Sequence, residues 1–544
     1  MIQDNIFKAL QADIAGLKNG DRLLLKKNFQ YDIRQEACMH LFGFHASNTA
    51  TRQENPKGER VVAICLQNKK RVVIDGNGAT LQIHGIITPF LFDHCENVTL
   101  KNLTVDYTRP TMTEFWVESS ENGQSILKMH ADSLYEARDG KLFFCGETDE
   151  NGNRYWVQEP KGENMLSMYM DPKTEYVRFL GKEAGDRFPS IPSIESAEDL
   201  GDNRVKVIWK DQNAKLPQGC IIQTRDVRRQ QLGGLFQYCK NLKLENVTIR
   251  FMNGFGLLCQ FCENVTFRGL NCTPSNGRTI ACNADFFHFS GCRGHVLVEN
   301  CVAAGAHDDF VNVHGTHLRI VRVFENKKRI QVRFINPNTW GLRAFCKGDQ
   351  IDFIKHDTLL PYARNRIIGV EQLNETDFSL DLNKPLPTDI ELDRDVIENL
   401  TWTPRLTVRK NRFGPSMGRS VLCTTRRRVL IENNLFYKNG GSVLLIADDC
   451  NFWMESGYTT NVLFRGNTLI DCGYGCVKKA DPLIRVLPEI QKEDRDRPVH
   501  KKLRLIQNKI CSPNGEKWSH ELRSIEKVIE KKNQFMQWKG ESSV

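Results

Sequence analysis

Cys95-Glu-Asn-Val-Thr-Leu-Lys-Asn-Leu-Thr-Val105 has two close copies, Cys239-Lys-Asn-Leu-Lys-Leu-Glu-Asn-Val-Thr-Ile249 and Cys262-Glu-Asn-Val-Thr-Phe-Arg-Gly-Leu-Asn-Cys272. In each copy apolar residues alternate, Asn or Gly marks a bend, and the alternation resumes, which predicts short strands joined at a corner. Asn tolerates left-handed backbone and can hydrogen-bond its counterpart on the next coil, so it suits a repeated corner. Looser copies begin at Arg428, Asn461 and Leu503. A β-sandwich would not repeat the same side chain at the same corner, so we expect a β-helix.

The fold class predicted from this repeat is all-β, a right-handed parallel β-helix with two inserted β-barrel-like subdomains. A capping helix is predicted at Asp4–Leu17, with Ile6, Leu10, Ile14 and Leu17 on its apolar face. Two stretches interrupt the repeat with hairpin-like strands and turns. The predicted divisions are an N-terminal cap with the first coils (1–107), an inserted β subdomain (108–225), central coils (226–320), a second inserted subdomain (321–405), and C-terminal coils with a tail (406–544).

Composition narrows the function classes. The 544 residues are 40% hydrophobic and 26% charged, and no apolar run approaches the ~20 residues of a membrane span. The net charge of +9 is spread along the chain, and no nucleic-acid-binding module is visible. The 18 cysteines are expected to be mostly free, buried thiols, and the single CxxC, Cys259 to Cys262, lacks a matching half for zinc. No signal peptide is visible, so the compartment stays open, with periplasm or secretion favoured if one was removed.

Three carboxylates carry the candidate chemistry. Asp285 follows Asn283-Ala, and the adjacent pair Asp308-Asp309 comes 23 and 24 residues later. That spacing suits one coil, so we expect Asp285 and Asp309 on adjacent coils, roughly 4.8 Å apart in the strand-stacking direction. Three carboxyl groups so close together resist full ionisation, which favours acid–base work over an inert polar ladder. Calcium is a weaker alternative, because it wants six to eight oxygen ligands.

Hydrolysis of a glycosidic bond with inversion fits such a trio. One carboxylic acid protonates the leaving oxygen and a carboxylate activates water, typically ~6.5–9.5 Å apart. Because consecutive strand residues project to opposite sides, we expect Asp285 and Asp309 to hold the water and Asp308 to be the general acid. A retaining mechanism, with groups about 5–5.5 Å apart, stays open at this point.

The motifs Asn283-Ala-Asp285, His288-Phe-Ser-Gly-Cys292, Asp308-Asp309 and Asn312-Val-His-Gly-Thr316 resemble those of glycoside hydrolase family 110, the exo-acting α-1,3-galactosidases. The resemblance implies inverting release of terminal α-1,3-linked galactose, from blood-group-B-type or linear glycans, without a metal or other cofactor. The implied partner is an oligosaccharide or glycan substrate. Neither nucleic-acid binding nor a membrane span is expected, and a homodimer is compatible with the sequence. A galactose pocket needs planar donors and an aromatic platform, for which the candidates are His288, His314, Arg426, Trp453 and Glu455.

Other functions remain in view on the residues alone. One is a polysaccharide lyase or another β-helix glycosidase of polygalacturonase type; a lyase would need calcium and a basic residue beside the acids. The other is a non-catalytic glycan-binding solenoid, which would bind sugar and release none.

Overall fold

The computed structural model describes residues 2–181, 188–325, 327–477, 480–515 and 517–538. The chain opens with the α-helix Ile2–Gly16. Phe7, Leu10 and Ile14 are buried on its inner face, followed by Leu17 just beyond its end. These side chains join the interior of the first coils. The helix therefore covers the open apolar end of the solenoid, as the sequence predicts.

The longest sheet runs the whole length of the solenoid and has 19 strands. Each strand pairs in parallel with its counterpart on the next coil, which is the pattern of a β-helix, and parallel crossovers of this kind are almost always right-handed. Its strands are Arg22–Leu24, Gln30–Arg34, Val73–His84, Thr99–Tyr107, Lys240–Ile249, Glu263–Arg268, Asn271–Cys272, Arg293–Glu299, Val302–Ala303, Arg405–Arg409, Arg412–Phe413, Val429–Glu432, Leu435–Tyr437, Val462–Arg465, Thr468–Ile470, His500–Ile506, Lys509–Ser512, Ile525–Lys531 and Gln534–Gln537.

A second parallel sheet forms another wall of the solenoid and carries the candidate site. Its residues are almost all buried, because its inner face lines the core and loops cover much of its outer face. Its parallel strands are Arg60–Gln67, Thr88–Asp93, Gly234–Gln237, Leu257–Gln260, Phe287–Ser290, Val311–Val323, Val421–Cys423, Leu444–Ile446, Ile484–Val486 and His520–Leu522, and the short strands Met39–Leu41 and Glu455–Ser456 add to it in antiparallel fashion.

Asparagine occupies the corners between strands, as predicted. The corner residues Asn97, Asn241 and Asn264 have left-handed backbone, with φ of 55°, 52° and 57°. Asn241 Nδ2 donates to Asn97 Oδ1 on the preceding coil, and Asn264 Nδ2 donates to Asn241 Oδ1, both at 2.9 Å. In a second ladder, buried except at its last member, each amide donates to Oδ1 of its counterpart on the following coil; its members are Asn411, Asn434, Asn467, Asn508 and Asn533. These ladders hold successive coils in register.

The cysteines are free thiols, all 18 of them, and most are buried. Cys95, Cys239, Cys262 and Cys292 occupy equivalent positions on four successive coils. Each Sγ donates to a carbonyl oxygen of the preceding coil at 3.4 Å. The thiols act as small inward-facing side chains that satisfy backbone acceptors, so the prediction of buried free cysteines is confirmed.

The first insertion lies between the coil strands Thr99–Tyr107 and Gly234–Gln237. It contains a seven-stranded antiparallel sheet and a separate three-stranded sheet around their own apolar core. The larger sheet consists of Met112–Glu121, Gln124–Met129, Met165–Asp171, Tyr176–Phe179, Ile194–Gly201, Arg204–Trp209 and Ile221–Asp226; the smaller one consists of Leu134–Arg138, Lys141–Cys145 and Val157–Gln158. A short 3-10 helix, Ile191–Ser193, also lies in this insertion, and another, Gln35–Ala37, lies between the first strands of the chain.

The second insertion is a closed barrel of six antiparallel strands. Strand Val311–Val323 leaves the parallel sheet and continues into the barrel, where it pairs with both Arg329–Arg333 and Val396–Asn399. The ring is completed by Gln350–Ile354, Pro361–Gln372 and Asp377–Leu382. The barrel therefore grows directly out of the strand that follows Asp309.

Candidate active site

Three side chains of the site stand on three successive coils. Asp285, Asp309 and Arg419 each lie two residues before a strand of the second parallel sheet. The strands pair in register, with Phe287 opposite Val311 and Val311 opposite Val421. The same register continues backwards, because the Phe286 amide donates to the Asp309 carbonyl at 2.9 Å. Asp285 and Asp309 are therefore stacked on adjacent coils, as their spacing predicts.

The three predicted carboxylates converge. One oxygen from each of Asp285, Asp308 and Asp309 lies within 4.8 Å of the others. The expectation that Asp308 and Asp309 project to opposite sides is wrong, because residues 307 and 308 form a bend rather than a strand. Both side chains reach one guanidinium instead: Arg419 donates to Asp309 at 2.6 and 2.9 Å and to Asp308 at 3.3 Å.

These groups line a small pocket of about 80 Å³ that is open to solvent. Asp309 is completely buried at its floor, whereas the Asp308 side chain is 33% exposed. Arg229 Nη2 lies 3.7 Å from Asp308 on the other side. The remaining lining comes from several segments: Asn48, Phe255, Asn312, Leu422, Trp453 and Glu455. The pocket therefore holds four acidic side chains, two arginines and one exposed aromatic ring.

A chain of hydrogen bonds behind the pocket connects Asp285 to two buried histidines. His314 Nδ1 lies 2.5 Å from the Gly315 carbonyl oxygen, which only accepts, so Nδ1 carries a proton. When His314 accepts at Nε2, His288 Nε2, 2.8 Å away, donates. A neutral His288 then accepts at Nδ1, so Asp285 Oδ2, 2.7 Å away, carries the proton. In this arrangement Asp285 is a carboxylic acid.

Burial acts in the same direction as this hydrogen-bond chain. It raises the pKa of Asp285 to about 8, with the negative charge of Asp308 adding to the shift. Burial also lowers the pKa of His288 to about 3, so its ring is neutral at pH 7. Burial also raises the pKa of Asp309, but the charge of Arg419 opposes that shift, and Arg419 contacts both of its oxygens, which is the geometry of a carboxylate. Asp309 in return raises the pKa of Arg419. The floor therefore combines one protonated and one ionised carboxyl group.

The state of Asp285 predicts a pH-dependent stability difference. Its folded pKa of about 8 lies above the ordinary 3.8, so between these values the folded chain binds more protons and stability falls as pH rises. In Asp285→Asn the amide donates to His288 as the carboxylic acid does, and this pH dependence disappears. We expect the Tm of the variant, relative to the wild type, to rise from pH 5 to pH 8 and then level off. A Tm difference that is constant with pH, or that favours the wild type increasingly, would show that Asp285 is ionised.

Trp453 and Glu455 come from a loop that reaches over the pocket. Asp449 organises this loop, because its carboxylate accepts four backbone N–H groups, those of residues 451–454. Trp453 is 42% exposed at the rim. Glu455 is buried, accepts a hydrogen bond from Asn48 Nδ2 at 2.9 Å, and lies 3.6 Å from His314 Nε2. Both residues therefore lie at the pocket, as the sequence analysis proposed.

Two relatives of known name are similar to most of this chain. Alpha-1,3-galactosidase A of Akkermansia muciniphila is 35% identical over 495 residues, which are 89% of this chain and 78% of that protein. The enzyme of the same name from Bacteroides fragilis is 32% identical over 93% of this chain and 80% of that protein. The chain belongs to the α-1,3-galactosidase family. The resemblance drawn from the aspartate motifs is thereby confirmed, and with it the prediction of a glycoside hydrolase.

Two further comparisons are with a barrel-domain family and with a solved structure. The GLAA-B beta-barrel domain II family model matches residues 329–397, which lie in the six-stranded barrel. Among solved structures, the family 28 exopolygalacturonase of Yersinia enterocolitica aligns with a TM-score of 0.32 and 12% identity, over 98% of this chain and 73% of that chain. In the described part of this α-1,3-galactosidase family member, no helix is long and apolar enough to cross a membrane.

Arg426 is the predicted site residue that the structure places elsewhere. Its guanidinium pairs with Asp352 at 2.7 Å and with Glu398, both on barrel strands, and lies 4.1 Å from the Tyr458 ring. Its side chain is only 9% exposed and does not line the pocket. The prediction that it binds sugar is therefore corrected: Arg426 ties the barrel to the solenoid. His288 and His314 also differ from the prediction, because they are buried behind Asp285 rather than exposed to a ligand.

Two sets of donor atoms in this family member have the spacing of a metal site. They are the three aspartates, and His288 with His314 and Glu455, each set within 4.8 Å. The cation position beside Asp309 is already taken by Arg419. The two histidine Nε2 atoms are joined by a hydrogen bond to each other. Both sets thus have partners within the protein, and a chelator experiment below tests whether an ion is needed.

Arg419 is the main residue that sequence reasoning missed. Arg419 lies two residues before Val421, as Asp309 lies two residues before Val311, and these two strand residues pair. Counting two residues back from each paired strand would therefore have identified it. The barrel hid this relation, because Arg419 follows Asp309 by 110 positions. Gly418 offers a second sign, since a Cβ there would lie 2.1 Å from the Asp308 carbonyl oxygen. The close approach of these two coils brings the guanidinium onto both aspartates.

Proposed function

We propose that this protein hydrolyses terminal α-1,3-linked galactose from the non-reducing ends of glycans. The observation that carries the proposal is the convergence of Asp285, Asp308 and Asp309 in one small pocket, in a member of the α-1,3-galactosidase family. A pocket this small suits a single terminal sugar ring better than an internal segment of a polymer. Asn312 Oδ1, which has no hydrogen-bond partner among the described residues, offers that sugar an acceptor.

Asp309 is the proposed general base. It is the buried carboxylate held by Arg419, and each of its oxygens retains a lone pair for a water hydrogen. Asp285 uses Oδ2 to bond His288, which leaves Oδ1 to accept the second hydrogen of the same water. Two acceptors side by side would turn a lone pair of the water oxygen toward the anomeric carbon. This division gives Asp285 an orienting task and Asp309 the proton.

Asp308 is the proposed general acid. It is the one member of the trio whose side chain is substantially exposed, at 33%, so it stands where a leaving group would depart to solvent. Catalysis would require Asp308 in its acid form once substrate is bound, and that proton would pass to the glycosidic oxygen as the bond to the anomeric carbon breaks. Trp453 is the proposed platform for the apolar face of galactose, because its ring is exposed at the rim. Glu455 would accept from a sugar hydroxyl.

Inversion is favoured by the state of the two buried acids. Arg419 engages both oxygens of Asp309, and Asp285 holds a proton, so neither is a free nucleophile. The nearest oxygens of the trio lie within 4.8 Å, which is shorter than the ~6.5–9.5 Å expected for an inverting pair. We therefore expect the side chains to move apart when water and substrate enter. The stereochemistry of the product decides between the two mechanisms.

Proton NMR of the first product tests the proposal. With an α-1,3-linked digalactoside we expect free galactose to appear first as the β anomer, at the same rate with and without a chelator. Asp308→Asn serves as the control for contaminating activity. Galactose appearing first as the α anomer would establish retention, and loss of activity with chelator would establish a metal requirement. An unsaturated sugar would indicate a lyase, and no release at all would leave a glycan-binding solenoid.

A further inference from the structure

A second cavity opens beside the catalytic pocket. Its volume is about 240 Å³, compared with about 80 Å³ for the pocket that holds the three aspartates. Its walls come from the solenoid, from the first insertion, and from the segment that joins them. The lining includes Thr111, Tyr155, Trp156, Asn253 and Asn283. No step of the proposed hydrolysis uses any of them.

The two cavities share the same backbone segments. Asn253 lines the second cavity and Phe255 the first, and on the next coil Asn283 and Asp285 divide in the same way. Residues two apart are separated by at most about 7 Å along the chain. The joining segment alternates likewise: Arg229 faces the aspartates while its two neighbours face the second cavity. Three segments thus place the cavities side by side.

Two buried amides in the wall each have one atom without a hydrogen-bond partner among the described residues. Thr111 Oγ donates to Asn253 Oδ1 at 2.7 Å, which fixes the amide and leaves Nδ2 without a hydrogen-bond partner among the described residues. Asn283 Oδ1 on the next coil is also unpartnered. Asn253 is 6% exposed and Asn283 is 3% exposed. Buried polar groups are normally satisfied, and one free donor beside one free acceptor matches a hydroxyl group, which both accepts and donates.

Aromatic rings from the first insertion line the same cavity. Trp156 and Tyr155 are partly buried in a short connection that leads into strand Val157–Gln158. Trp156 is held in place against Gly146, where a Cβ would lie 2.5 Å from the indole nitrogen. Tyr155 donates to Glu36 at 2.7 Å. Aromatic rings together with amide groups are the usual composition of a pocket that binds a ligand with apolar and polar sides, such as a sugar ring.

We propose that this cavity binds the sugar on the reducing side of the bond that is cleaved. The inference rests on the proposed galactosidase function, because it is the position of Asp285 and Arg229 that makes the two cavities consecutive sites along one glycan. Asn253 and Asn283 would bond a hydroxyl of the second sugar, and Trp156 would cover its apolar face. The first insertion thereby makes this protein selective for galactose attached to another sugar over galactose attached to a simple alcohol or phenol.

The test compares two substrates in wild type and variants. The trisaccharide galactosyl-α-1,3-galactosyl-β-1,4-glucose occupies both cavities, whereas 4-nitrophenyl α-galactoside offers no second sugar. We expect Trp156→Ala and Asn253→Ala each to lower the ratio of kcat/KM for the trisaccharide over the aryl galactoside by roughly 10-fold. Lactose, which the trisaccharide releases, should inhibit the wild type competitively. Its inhibition constant should rise in each variant by about the same factor as the substrate ratio falls. Two variants from different walls guard against a local folding defect in one of them.

Phe143→Ala is the matched control. Phe143 lies on strand Lys141–Cys145 of the same small sheet, packs against Arg138 at 4.3 Å, and lines neither cavity. The substrate ratio should be unchanged in this variant. An unchanged ratio and unchanged lactose inhibition in both Trp156→Ala and Asn253→Ala would overturn the proposal while leaving the galactosidase function intact. A wild type that hydrolyses neither substrate would refute the function itself, and the cavity proposal with it.

Discussion

Asp308→Asn is expected to lower kcat on an α-1,3-linked digalactoside about 10²–10⁴-fold, the usual contribution of a general acid. The effect should be far smaller on 4-nitrophenyl α-galactoside, because nitrophenolate departs without being protonated. Folding should persist, since Asp308 is partly exposed and receives only one 3.3 Å hydrogen bond from Arg419. Kinetics on the two substrates, with Tm as a check on folding, measure both parts of the prediction.

Asp309→Asn is the matched comparison for this experiment. A general base acts on water whatever the leaving group, so its loss should slow both substrates by a similar factor. Equal losses in Asp308→Asn would remove Asp308 from the role of acid. A strong leaving-group dependence in Asp309→Asn instead would exchange the two assignments.

Arg419→Gln is expected to have the second large effect, on stability and activity together. Asp309 is fully buried, and removing the partner of a buried charge typically costs about 3–5 kcal/mol. We expect the lower end of that range, because the Arg419 side chain is 37% exposed and water can enter beside it. Without the cation the pKa of Asp309 rises, so the remaining activity should increase with pH instead of following the wild-type profile. Urea unfolding and a pH–rate profile measure the two effects.

The double variant Asp309→Asn with Arg419→Met separates the two effects. Replacing both partners removes the uncompensated charge, so most of the lost stability should return while activity stays absent. A double variant no more stable than Arg419→Gln would show that the arginine stabilises the fold by packing rather than by pairing. Wild-type activity in Arg419→Gln would refute the assignment of Asp309 as a carboxylate base.

Features that depend on residues close together in the sequence were predicted well. The corner asparagines repeat within a few residues of each strand, so the coils could be recognised, and the capping helix follows from its apolar spacing. Asp285 and Asp309 could be placed together because only one coil separates them, with no insertion between. In each case the relevant contact follows from a short period in the chain and parallel register.

The rest of the site depends on contacts between residues far apart in the sequence, which the coil repeat does not predict. Asn48 comes from a loop before strand Arg60–Gln67 and meets Glu455 across more than 400 positions. Arg426 was proposed as a sugar ligand, but barrel carboxylates already pair with it, and their position is fixed by the fold of the insertion. The strand geometry assumed for Asp308 and Asp309 failed because the chain bends there. Division into domains and the catalytic assignments remain predictions.

The barrel between Asp309 and Arg419 has a consequence during synthesis on the ribosome. Arg419 is translated 110 codons after Asp309, a delay of roughly 6 to 22 s at ordinary elongation rates. Until then Asp309 lacks the cation that contacts both of its oxygens, so burying its charge is costly and the last coil cannot pack closely over it. We therefore expect nascent chains that end inside the barrel to keep this edge open and available to chaperones, and to compact only once the arginine has left the exit tunnel.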